Sequence, residues 1–108
     1  MSDEMLLIST ATEAVDVFSK LFDGTSVRCG SNTSALRRMG TGGSSVIIDC
    51  SKTNKRIGLL ILDDDPDEFA IVVCDRDAPD DAVAQKMPKS MLQTTLVVRY
   101  MEQHFAKQ

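Results

Sequence analysis

Two neighbouring segments of this chain are apolar on both of their faces. In residues 56–62, Ile57, Leu59 and Ile61 alternate with Leu60 and Leu62. In residues 68–75, Phe69, Ile71 and Val73 alternate with Ala70, Val72 and Cys74. A strand with one wet face would carry polar residues at every second position. Each face of a sheet built from these segments therefore needs a cover. Helices of the chain supply one. The other calls for a second layer from the same chain or from a partner.

The segment 45–50 precedes this pair and reads as a third strand, and 25–29 as a fourth. The linkers are short and polar: Lys52, Thr53, Asn54 and Lys55 in one, and the acidic run 63–67 with Pro66 in the next. Short connections favour an antiparallel meander. A helix is expected at 11–22. Thr10 and Glu13 would form its capping box, and Ala11, Ala14, Val15, Phe18, Leu21 and Phe22 its apolar stripe. Gly24 suits its C-terminal cap. Residues 5–8 read as a short strand. Residues 80–86 read as a helical piece ended by Pro88, and 90–106 as a long helix capped by Ser90. That last helix is apolar over a wide arc, so it is deeply buried or packs on two surfaces. If the apolar faces are simply core, the helix 11–22 covers one sheet face and the helix 90–106 the other. The expected fold is thus α+β. A single domain spans 1–108, with a meander of about 45–50, 56–62 and 68–75, a strand near 25–29, and the two helices packed on it. A chain of 108 residues has material for one such domain.

The charged fraction of 26% and apolar fraction of 43% are those of an ordinary globular chain, which excludes a disordered or fibrous one. No apolar run approaches the roughly 20 residues of a membrane span. Acidic residues stand where a secretory leader carries Lys or Arg, so a cytosolic protein is expected. The three cysteines, Cys29, Cys50 and Cys74, are widely spaced and odd in number, which points to reduced thiols. The net charge of −4 is unevenly spread. Residues 25–56 hold six bases and one acid, and residues 57–81 hold nine acids and one base. In a meander, Asp75, Asp77, Asp80 and Asp81 return beside Lys52, Lys55 and Arg56, so that end is compensated locally. The 63–68 loop lies at the opposite end and is the candidate acidic patch.

Several chemistries fail on spacing. Asp63, Asp65 and Asp67 start like a calcium loop, but Glu68 and Cys74 stand where Gly and Glu are needed. Gly40, Gly42 and Gly43 follow a helical scrap and precede a strand, the reverse of a phosphate cradle. Cys29, Cys50, Cys74 and His104 are the right types for zinc, but no Cys-x-x-Cys pair anchors them. His104 lies near a helix C-terminus, where it suits the dipole, and no nucleophile sits in a strained turn. No metal or cofactor is expected, and no catalytic residue is assigned. Arg28, Arg37, Arg38, Lys52, Lys55 and Arg56 lack interleaved aromatics, which argues against nucleic acid.

The expected function is a non-enzymatic, small acidic protein-binding domain acting as a homodimer. An adaptor, an inhibitor or immunity-type protein, or a secretion-chaperone-like protein would each fit. Its partner-binding residues would be Asp63, Asp64, Asp65, Asp67 and Glu68, and Leu92, Leu96 and Tyr100 would form its dimer interface. The competing class is a small anionic-ligand or nucleotide-binding protein. It would use the Gly/Ser-rich 30–45 loop, with Arg37, Arg38, Gly42 and Gly43 as contacts.

Overall fold

The computed structural model describes residues 2–22 and 26–106, with the backbone alone for 79 and 80. Helix α1 spans Asp3–Leu21 and begins eight residues earlier than the 11–22 reading. The strand expected at 5–8 is its first turns instead. Ser2 supplies the cap, its Oγ accepting from the Met5 N–H at 3.2 Å, and Asp3 and Glu4 complement the dipole of the first turn. Leu7 joins Ala11, Ala14 and Phe18 at helical spacing, and all four are fully buried. Thr10 is a buried mid-helix residue and not a cap. Gly24 and the start of the strand read from Thr25 lie outside the described residues.

Five strands form one antiparallel meander in chain order: β1 Val27–Ser31, β2 Gly43–Cys50, β3 Lys55–Leu62, β4 Glu68–Asp75 and β5 Ala78–Pro88. A short helix, α2 Thr33–Arg38, crosses from β1 to β2 where a helical scrap was expected inside the 30–45 loop, and the two strands take the ends of that loop. The β2–β3 turn closes with Asn54 at φ 58°, a left-handed conformation that Asn tolerates better than most side chains. β5 replaces the expected helical piece at 80–86. Val83, Gln85 and Met87 alternate at period two opposite Val73, Ile71 and Phe69, and Met87 is buried. Pro88 ends an edge strand, where its missing N–H leaves no ladder bond unmade.

The C-terminal helix is interrupted. A 3-10 turn at Lys89–Met91 passes through extended backbone at Leu92 into α3, Thr94–Met101, which continues as a π turn at Glu102–Ala106. The π turn carries Phe105 into the core, its ring edge-on to Phe18 at 6.1 Å. α1 lies over β1, β2 and β3, and α3 packs beside α1. Both helices therefore sit on one sheet face. This overturns the expectation that each covers a different one. The reason is the packing of the two helices on each other, with Phe105 meeting Phe18 of α1.

Candidate functional site

Strand alternation sorts the sheet residues into two sets. Val46, Ile48, Cys50, Ile57, Leu59, Ile61, Phe69 and Ile71 face the helices and are buried. The other set faces away. Across the strands, Ile47 pairs with Gly58, Gly58 with Val72 and Val72 with Ala84. The next row is Ser45, Leu60, Ala70 and Lys86. Leu62 lies opposite Gly43 at one end, and Asp49, Arg56 and Cys74 form a row at the other. Leu60, Leu62 and Val72 are only half-buried, and neither they nor Ile47 belong to the core cluster. Among the described residues α2 is the helix that reaches this side, at one corner. A Cβ built on Gly43 would stand 3.3 Å from Leu36 Cδ2, and Thr33 Oγ1 accepts from the Ser45 N–H at 3.1 Å. The middle of the face is aliphatic and bare of helix.

Its two ends differ in charge. At the end beside the β2–β3 turn, Asp49 holds Arg56 through two bonds of 2.7 and 3.2 Å, with Arg76 Nε 3.9 Å away. The Asp49 hydrogen bond raises the Arg56 guanidinium above its ordinary pKa. Arg28 is exposed directly across from Asp49 in the register. On this face three arginines stand against Asp49 and leave the end basic, while Lys55, Asp75 and Asp81 of the same end line the cleft on the helix side and Asp77 is turned to Asn54. At the opposite end, Lys86 bonds Asp65 at 2.7 Å and lies 3.8 Å from Glu68. The bond to Asp65 raises the Lys86 pKa. Arg37 pairs with Asp63 through bonds of 2.9 and 3.4 Å, and the Asp63 bond raises its pKa as well. Five acids against these two bases leave that end acidic.

The candidate partner residues are thus brought together in one β3–β4 turn, but not all of them are available. Asp63 and Asp65 are engaged within the chain, while Asp64 and Asp67 are exposed. At the other end, Lys55 pairs with Asp75 and Asn54 with Asp77, as local compensation requires. The candidate anion contacts meet an acid: Asp63, which binds Arg37, also lies 3.0 Å from where a Cβ on Gly42 would stand. Arg37 is held by Asp63, Arg38 Nε reaches Ser34 O, and Gly43 is a ladder residue of β2. Of the candidate dimer residues, Leu92 is buried in the chain's own core, and Leu96 and Tyr100 pack at its margin.

Alternation also separates the thiols. Cys29 and Cys50 lie on the helix side, while Cys74 lies opposite, across from Arg56. Burial pushes the Cys74 thiol above its ordinary pKa, partly opposed by Arg56. Among the described residues no group of three His, Cys, Asp or Glu is placed to hold a metal. On the helix side, a cleft of about 330 Å³ opens between β4, β5 and α3. Ile71, Val73 and Val83 line it, and Tyr100, whose hydroxyl bonds Gln85 Oε1 at 2.9 Å, borders it with His104. Sequence reasoning recognised both apolar faces but missed which would stay bare. The short linkers from residue 51 to residue 77 exclude a covering helix from within the meander, and the face that α3 takes after β5 is set by its packing on α1.

Comparison with family models, with curated proteins and with solved structures finds no match to this chain. Among the described residues no helix is long and apolar enough to cross a membrane.

Proposed function

We propose that this chain is a non-enzymatic protein-binding domain, of adaptor, inhibitor or secretion-chaperone type, that works as a homodimer through its helix-free sheet face. One observation carries the reading. Ile47, Leu60, Leu62 and Val72 form a continuous aliphatic surface on the side of the sheet that neither α1 nor α3 covers. Soluble monomers rarely leave a contiguous apolar patch of this kind without a use for it. The face also has the anatomy of an interface, with an apolar middle and charged ends. It is preferred to the Leu92, Leu96 and Tyr100 surface as the dimer contact, because Leu92 is buried in the chain's own core and Leu96 and Tyr100 pack at its margin. The acidic turn beside it, centred on the exposed Asp64 and Asp67, is the charged element that steers association. Three free thiols suit a cytosolic setting.

Sedimentation of the parent and of Val72→Asp tests this directly. The parent is expected near twice the 11.8 kDa chain mass, and the variant at the chain mass with its circular dichroism unchanged. A variant that sediments like the parent removes the face from the interface.

A further inference from the structure

The helix-free face is not only apolar but also carries opposite charge at its two ends. One end holds Arg28, Arg56 and Arg76 around Asp49, and the other holds the acidic turn 63–68. The strands run from one end to the other, so charge and strand direction are aligned. Resting on the homodimer reading above, we propose that the second copy docks about a two-fold axis lying in the interface and crossing the strands. The basic end of each copy then covers the acidic turn of the other.

Symmetry leaves few alternatives. A two-fold along the sheet normal keeps both faces pointing the same way and cannot bring them together. A two-fold parallel to the strands brings the faces together but stacks arginine on arginine and acid on acid, which opposes association. Only the axis across the strands joins the aliphatic middles and matches the ends. The contact is isologous, as two-fold dimers require, because each end meets its opposite. Aligned sheet packing tolerates this arrangement, with the strand directions offset by about 30° through sheet twist.

Size agrees with a second copy as occupant. Five strands that average eight residues, at about 3.3 Å per residue and about 4.8 Å spacing, present roughly 500–600 Å² per copy once the corner under α2 is left out. Both copies together bury about 1,000–1,200 Å² with the charged rows of the strands included, which reaches the lower edge of specific interfaces. The exposed acids Asp64 and Asp67 would then find partners in the arginines of the other copy.

Charge reversal and mixing test the arrangement. One variant combines Arg28→Glu with Arg76→Glu and leaves Arg56 to hold Asp49. The other combines Asp64→Lys with Asp67→Lys. All four positions are exposed, and circular dichroism checks each fold. Each variant alone is expected to dimerise at least about tenfold more weakly than the parent, and an equal mixture of the two to recover dimers. If both variants dimerise as tightly as the parent, the axis is wrong while the homodimer stands. The axis is equally wrong if each variant weakens and the mixture fails to recover. A parent that is monomeric at every concentration overturns both the axis and the homodimer.

Discussion

Leu59 and Leu60 are adjacent in β3, yet they serve different ends. Leu59 is fully buried between the sheet and α1. Leu60 is half-buried on the other side, beside Ser45 and Ala70. Leu59→Ala removes core packing and leaves a cavity, at a cost of about 2–5 kcal/mol. For a domain of this size its melting temperature falls by roughly 10 °C or more. Leu60→Asp removes a partly exposed side chain, so within one chain it costs only about 1 kcal/mol. In the dimer the same change buries two unpartnered carboxylates, each costing several kcal/mol. Dimer affinity then falls by more than about a hundredfold. Melting at several protein concentrations separates the two effects, because a dimer's midpoint rises with concentration. Leu59→Ala lowers the midpoint and keeps the concentration dependence. Leu60→Asp removes the dependence and lowers the dilute midpoint by only about 4–5 °C. If melting of Leu60→Asp still rises with concentration as the parent's does, Leu60 does not lie in the interface and the division between the two leucines is wrong.

Other outcomes follow from the same structure. Phe105→Ala is expected to cost about 3–5 kcal/mol in denaturant unfolding, because the π turn seats that ring against Phe18; a loss under about 1 kcal/mol would count against that role. Cys74 resists ionisation when folded, since burial raises its pKa from the ordinary 9.0. The unfolded chain therefore releases this proton first, and stability present below that pH is lost as pH rises through the folded value. Cys74→Ala is expected to flatten that alkaline decline, which unfolding curves from about pH 7 to 10 would register. Joint Arg37→Ala and Arg38→Ala substitution is expected to leave dimer mass unchanged. A loss of phosphate or nucleotide binding in that variant, read by calorimetry against the parent, would revive the anion-binding class.

The meander was legible because hairpin linkers are short and the runs 56–62 and 68–75 are continuously apolar between polar turns. The ends of the fold were not. Met5 to Ile8 look like a strand when read alone, and become helix only because Leu7 continues the Ala11, Ala14 and Phe18 stripe. Residues 80–86 have helix-forming composition, and their strand identity comes from long-range pairing with β4 that local propensity does not encode. The candidate surface was half legible. Two apolar faces could be read from the residues. That α1 and α3 share one face follows from their packing on each other, with Phe18 meeting Phe105 from the far end of the chain.

Whether a second copy covers the aliphatic face is decided by the mass in solution. Light scattering after gel filtration, over a dilution series at moderate salt, should find about twice the chain mass at high concentration, falling toward 11.8 kDa on dilution. Added salt should move that transition to higher concentration, because the matched ends contribute. A constant mass of one chain across the whole series would leave the face without its second copy and overturn the homodimer.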